Sequence, residues 1–258
     1  MLNTVVDRFR QKLQTSVALG IFSKTTDSAI VEAAGLAGLD FIILDMEHGS
    51  STTETLSHHV RAALLTGMAS IIRVKGVDPQ AIGSALDMGS VGVQVPNIST
   101  AEEARKAVKA ARFYPGGMRG VCRFVRAANY GGSNKEDYFR EANKAILILQ
   151  IEGKEGVENI DEILDVEGYD MLFVGPYDLS QSLGILGQTN SARLIDYIQN
   201  LLIKAKEKKI LLGTFSDSLE NSKDLLDLGF NYISYSVDVS IFRDSVCSLI
   251  KEFLREKQ

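Results

Sequence analysis

AILILQIEGKEGVENIDEILDVEGYDMLFVGPYDLSQS, residues 145–182, contains two apolar, β-branched runs, AILILQIE (145–152) and MLFVGP (171–176). Between them, apolar residues recur at helical spacing over 157–167. Neither run alternates polar with apolar, which is the pattern of parallel strands covered on both faces. Two such runs joined through a helix make a parallel βαβ unit. Outward from this segment the unit repeats. Candidate strands are VALGIFS (17–23), FIILDME (41–47), SIIRVK (70–75), GVQVPN (92–97), ILLGTFS (210–216) and YISYSVD (232–238), with the two above. Helical spacing marks 27–38, 53–67, 78–88, 100–113, 192–209, 218–228 and 239–257 as well as 157–167. Gly67, Gly89, Gly168 and Gly229 each follow a helical pattern where a positive φ is wanted, and Thr100 with Glu103 has capping-box spacing. Eight βα units predict an α/β (β/α)8 TIM barrel, a single domain over residues 1–258. The stretch 114–144 is too long for a plain connection and reads as an irregular, functional or mobile excursion.

The composition is that of an ordinary globular protein: 45% hydrophobic and 24% charged residues, enough for a full core and too ordered in pattern for a disordered chain. With 28 Lys and Arg against 33 Asp and Glu the net charge is −5, so no nucleic-acid partner is expected. Two cysteines, Cys122 and Cys247, are too few for a disulfide framework or a thiolate metal cluster and suit a reducing compartment, so cytoplasm is expected. The first residues are broken by Asp7, Arg8, Arg10 and Lys12 at helical spacing, and no long apolar run follows anywhere; neither a signal peptide nor a membrane span is expected.

In such a barrel the chemistry lies at the C-terminal ends of the strands, and the polar residues gather there. Strand two ends Asp45-Met46-Glu47-His48, strand three Arg73-Val74-Lys75, strand five Gln150-Ile151-Glu152, and strand six runs into Gly175-Pro176-Tyr177-Asp178. Glu152 and Asp178 end consecutive strands and could share a hard cation such as Mg2+ or Mn2+; alternatively each caps the following helix. His48 stands three residues after Asp45, which could orient it as a general base; the plain alternative is a turn histidine. Arg73 ends an apolar strand and needs an anionic partner, either Glu47 or a substrate oxyanion. Lys75 raises a rival Schiff-base chemistry. The Gly175–Asp178 turn into a short helix offers backbone N–H groups to a carboxylate or phosphate.

Together these strand ends resemble the HpcH/HpaI family, the metal-dependent (class II) pyruvate aldolases of the phosphoenolpyruvate/pyruvate barrel superfamily. FIILDMEHG (41–49), IIRVKGVDP (71–79), the stretches 86–121 and 147–184, and LDLGFNYISYSVD (226–238) carry the resemblance. By position it implies metal binding by Glu152 and Asp178, substrate contact by Gln150, and keto-acid oxygen binding by Arg73. It also implies a base at His48 paired with Asp45, and a carboxylate seat over Gly175, Pro176, Tyr177 and Asp178. Asp87 would reach the active site of a neighbouring subunit. Family members form hexamers of dimers that exchange the last helix, so a homo-oligomer is expected. Ile241, Phe242, Val246, Ile250 and Phe253 provide an apolar face for that exchange, unless the helix packs on its own barrel. Two features depart from the family: Tyr177 stands where a small residue is usual, and Arg119, Arg123 and Arg126 crowd the 114–144 excursion.

The implied reaction is cleavage or formation of the C3–C4 bond of a 4-hydroxy-2-oxo acid, giving pyruvate and an aldehyde, with a divalent cation (Mg2+, Mn2+ or Co2+) as Lewis acid. Two other readings keep the barrel. One is a citrate-lyase-like acyl-CoA lyase, with the arginine-rich excursion holding the thioester tail; the other is a barrel that binds a keto acid without turning it over.

Overall fold

A computed structural model describes residues 1–255. Eight parallel strands, β1 (Ala18–Ser23), β2 (Phe41–Asp45), β3 (Ala69–Arg73), β4 (Gly92–Val95), β5 (Ile146–Ile151), β6 (Met171–Val174), β7 (Leu211–Ser216) and β8 (Tyr232–Val237), close in sequence order, with β8 pairing β1. The expected (β/α)8 barrel is therefore the fold. β1 and β2 approach closely, and a Cβ on Gly20 would collide with the Phe41 ring and carbonyl oxygen.

The outer helices begin where their capping residues stand. Asp27 opens α2 (Ser28–Leu36), Thr52 opens α3 (Thr53–Thr66), and Asp78 opens α4 (Pro79–Asp87), each accepting a first-turn backbone N–H. Thr100 and Glu103 complete the capping box of α5 (Ala101–Ala111). Gly67, Gly89, Gly168 and Gly229 all have positive φ, as their places after helical patterns require. An outer apolar layer packs between strands and helices, while a second cluster fills the barrel interior.

Three elements differ from expectation. The N-terminal stretch is a helix, α1 (Leu2–Thr15), that closes the bottom of the barrel: the Phe9 ring lies 6.0 Å from Phe41 and 6.4 Å from Tyr232, which stack on each other at 3.8 Å. The single helix expected over 157–167 is two short ones, α7 (Lys154–Glu158) and α8 (Ile160–Leu164). They break at Asn159, whose side-chain amide donates to the Ser99 carbonyl at 2.9 Å. The excursion 114–144 is also not wholly irregular. It holds a 3-10 turn (Arg126–Gly131) and α6 (Lys135–Ala142), capped by Asn134. Its arginines act as staples. Arg119 pairs with Asp87 and lies 4.7 Å over the Phe113 ring, Arg123 donates to the Ser133 carbonyl at 3.0 Å, and Arg126 donates to the Met88 carbonyl at 3.1 Å. In its own chain Asp87 thus ends α4 at the N-terminal side of the barrel, away from the strand C-termini.

Beyond β6 lie α9 (Pro176–Ser182), α10 (Ala192–Glu207), α11 (Leu219–Leu228) and α12 (Asp238–Arg255). The expected end of the last helix at 257 falls outside the described residues. On α12, Ile241 packs against the outer core, while Phe242, Val246, Ile250 and Phe253 are exposed, so the chain's own barrel does not cover this face. No helix among the described residues is long and apolar enough to cross a membrane.

Candidate active site

Parallel pairing in register sets Asp45 of β2 beside Arg73 of β3, and Arg73 beside Gln94 of β4. Asp45 is fully buried, and Arg73 nearly so at 7% exposure. Arg73 donates from Nε and Nη2 to the two oxygens of Asp45 at 2.9 and 2.8 Å, a two-pronged pairing suited to a guanidinium. Its Nη1 lies 3.1 Å from Glu47, and its guanidinium sits 4.7 Å over the Phe22 ring. Burial pushes the Asp45 carboxyl up, but the Arg73 hydrogen bonds and charge and the His48 N–H outweigh it and hold the group below its ordinary value.

Here the structure corrects one expectation. Asp45 does not hold the His48 imidazole. Its Oδ1 accepts the backbone N–H groups of Glu47 at 3.0 Å and His48 at 3.2 Å, an Asx-type turn that ends the strand. The imidazole itself projects into solvent at the cavity rim, its Nε2 4.0 Å from Glu47. Asp45 therefore fixes the arginine, and His48 stands over the cavity with Glu47 as its nearest carboxylate. Glu47 also answers the question of an anionic partner for Arg73, together with Asp45.

From β4 and β5 a second chain of polar groups reaches the same end. The Gln94 amide donates to Gln150, and the Gln150 amide donates to Glu152. Glu152, 5% exposed, also accepts the Asn97 backbone N–H at 2.8 Å, while the Asn97 side chain donates to Glu47 at 3.0 Å. Burial pushes the Glu152 carboxyl up to about 7, against the lowering effect of its two donors. Burial likewise raises Glu47, partly offset by Arg73. Gly175 is tightly placed here, since a Cβ would meet Glu152 Oε2 at 3.0 Å. Asp178 follows in the first turn of α9 and lines the cavity. Tyr177 donates its hydroxyl to Asp217 and packs against Phe215 with ring centroids 6.0 Å apart; the hydrogen bond and then burial push its phenol up to about 12.

The resulting cavity, about 200 Å³, is lined by Arg73, Gln150, His48, the Gly175–Asp178 turn and Lys24 among Phe22, Phe173, Phe215 and Val237. A larger cavity of about 460 Å³ lies near the opposite end, between α1 and the 119–145 segment, and holds none of these strand-end groups. Lys75 is exposed past the end of β3 and does not line the site, so it is not placed for the Schiff-base chemistry it raised. Gln94, Asn97 and Lys24 are functional candidates that the strand-end survey passed over. Gln94 carried the same signal as Arg73, a polar group inside an apolar strand.

Residues 18–245 match the model of the HpcH/HpaI aldolase/citrate lyase family. The chain belongs to that family. It is an aldolase, an enzyme that makes and breaks carbon–carbon bonds. A 5-keto-4-deoxy-D-glucarate aldolase from Citrobacter koseri is 33% identical over 96% of this chain and 98% of its own. Among solved structures, the citrate synthase SbnG is similar with a TM-score of 0.86 and 30% identity, covering 96% of this chain and 98% of its own. An HpcH/HpaI aldolase/citrate lyase family protein from Burkholderia cenocepacia J2315 gives a TM-score of 0.90 at 28% identity, covering 95% and 98%.

Proposed function

We propose that this aldolase cleaves and forms the C3–C4 bond of 4-hydroxy-2-oxo acids, exchanging them with pyruvate and an aldehyde, and that Glu152 and Asp178 hold its divalent cation. The observation that carries the site assignment is the buried Arg73, locked by Asp45 at a cavity that Gln150 and Asp178 also line.

The donor set suits a hard cation. Glu152 is buried and pushed up to about 7, a carboxylate short of compensating charge. Among the described residues no three His, Cys, Asp or Glu converge on one point, so the protein offers two oxygens and leaves the remaining positions to water and substrate. That is the pattern of Mg2+, Mn2+ or Co2+ rather than of a closed structural zinc site. When bound, the cation supplies Lewis-acid stabilisation of the negative charge that develops on the 2-oxo oxygen.

The side chains divide the rest of the work. Arg73 donates to the same oxygen from a fixed position, so little reorganisation accompanies the charge. Gln150 and the Gly175–Asp178 turn seat the carboxylate end, where the missing Cβ of Gly175 allows close approach. In cleavage His48 takes the C4 hydroxyl proton, the C3–C4 electron pair moves into a C2–C3 double bond, and the aldehyde leaves; a proton added at C3 then completes pyruvate. The exposed face of α12 supports a second copy of the chain as its cover, in a dimer-based hexamer that exchanges this helix. Cys122 and Cys247, free and exposed, support a reducing cytoplasmic setting.

The similarity to a citrate synthase favours one other reading, an acyl thioester in place of the aldehyde. Against it, Arg123 and Arg126 are spent on backbone carbonyls and Arg119 on Asp87, so the chain's own excursion offers no ready seat for a thioester tail. Incubation of pyruvate with a panel of aldehydes, with added Mn2+ or with chelator, tests the proposal through loss of pyruvate. Metal-dependent loss is expected. Activity that survives chelator and is trapped by borohydride overturns it.

A further inference from the structure

We propose that Gln94 is a positioning residue for the keto-acid seat: its amide fixes which end of the Gln150 side chain faces the substrate, so that an N–H and not an oxygen meets the carboxylate. This rests on the role given to Gln150 above. Gln94 sits on β4 between Val93 and Val95, level with Arg73 of β3 and Ile148 of β5. It is fully buried and does not itself line the cavity, so it can act there only through a neighbour.

A side-chain amide has an oxygen that only accepts and a nitrogen that carries two N–H groups, and a half-turn about its last bond exchanges them. Both ends of Gln150 are held. Its Nε2 donates to Glu152 Oε2, and a Cβ on Gly175 would lie 3.5 Å from that nitrogen, which puts the nitrogen at the turn assigned to the substrate carboxylate. The second N–H of Nε2 is then available to that carboxylate. Its Oε1 accepts from Gln94 Nε2, the only donor it has among the described residues. Turned the other way, Gln150 would set its oxygen against the Glu152 carboxylate and against the substrate carboxylate, acceptor to acceptor. Glu152 opposes that turn from one end and Gln94 from the other, because without Gln94 the Gln150 oxygen would be a buried acceptor with no donor. Gln94 is not itself fully satisfied: its Oε1 is buried and accepts no hydrogen bond among the described residues. A half-satisfied buried amide does not stabilise the fold over an apolar side chain such as the valines that flank it. The orientation of Gln150, and not the stability of β4, accounts for a glutamine here.

The test is a double-mutant cycle read as pyruvate affinity, measured by titration calorimetry on the protein with Mn2+, with a thermal melt of each variant to show that folded protein is titrated. Gln94→Met keeps the length of glutamine without its donor; Gln94→Leu is the second variant if methionine does not pack, with the same expectation. Gln150→Met should weaken pyruvate binding by roughly 10- to 100-fold, the size of one hydrogen bond to a charged group. Gln94→Met should weaken it by at least about fivefold where Gln150 is present, and by less than about twofold in the Gln150→Met background, which has no amide left to orient. An effect below about twofold with Gln150 present, or an equal effect in both backgrounds, overturns the proposal, the second by making Gln94 a packing residue. Two further outcomes lie upstream of it. Wild type that binds no pyruvate defeats the aldol reading, and Gln150→Met that binds pyruvate as wild type does defeats the seat assigned to Gln150; the Gln94 assignment falls with either.

Discussion

Replacing Asp45 by Asn tests the pairing on which the site is built. The carboxylate is wholly buried and holds both Nε and Nη2 of Arg73. Asn keeps the shape and one acceptor but removes the countercharge and turns an N–H towards the guanidinium. Removing one partner of a buried pair costs about 3–5 kcal/mol. Glu47, 3.1 Å from Arg73 Nη1, still shares the charge, which places this variant at the low end, about 3 kcal/mol. For a chain of this size that is a fall in Tm of about 6–12 °C. The pH dependence has a definite sign. The Asp45 carboxyl is held below its ordinary value of 3.8, so its contribution is complete above that value and is lost as pH falls through the lower, folded one. Thermal melts followed by circular dichroism should therefore show a constant gap between wild type and Asp45→Asn from neutral pH down to about pH 5, closing only in stronger acid. A variant that melts within about 2 °C of wild type at pH 7 would refute the view that this pair is tightly coupled and uncompensated.

His48→Ala should lower aldol cleavage by about 10²- to 10⁴-fold while pyruvate, measured by calorimetry with Mn2+, still binds. Unchanged cleavage would move the base elsewhere. Glu152→Gln and Asp178→Asn should each weaken Mn2+ binding, read by electron paramagnetic resonance, by at least about tenfold. Glu152→Gln should also raise Tm or leave it unchanged, since a buried carboxyl pushed up to about 7 by desolvation is replaced by a neutral group. Tyr177→Ala should admit branched aldehydes that wild type excludes, visible as a kcat/KM gain for bulky over linear acceptors, because the ring forms the wall beside Phe215. No change in that ratio would place the tyrosine outside the acceptor space.

The barrel was legible because burial on both faces makes a strand continuously apolar, and β5 shows it: the run 145–152 became Ile146–Ile151. What α1 does was not legible. An amphipathic helix reads the same wherever its stripe packs, and only the Phe9 contacts with Phe41 and Tyr232 assign it to the barrel floor. α6 was lost in a segment read as a loop because KEDYFREA is too short for period to show, though Asn134 before it is an ordinary cap. In the site, Arg73 and Gln150 stood out as polar groups in apolar strands. The Asp45–His48 pairing was misread for a geometric reason: three residues beyond a strand-ending Asp, it is the backbone N–H that comes within reach, and the side chain is carried past it.

Charge explains why these residues occur together. At the open end of the barrel four carboxylates, Asp45, Glu47, Glu152 and Asp178, face two cations, Arg73 and Lys24. The pairing is uneven. Asp45 and Glu47 take Arg73 between them, whereas Glu152 has only neutral donors, the Gln150 amide and the Asn97 N–H, and is raised further by Glu47 and Asp178. Four carboxylates against two cations leave the open end of the barrel two charges negative, which is costly unless a ligand completes it. A divalent cation held by Glu152 and Asp178, as proposed above, would answer that deficit. The same imbalance that lowers the stability of the empty site would then be the source of its affinity for the cation proposed above, which would bind first because it cancels the charge of the carboxylate pair before the acid arrives.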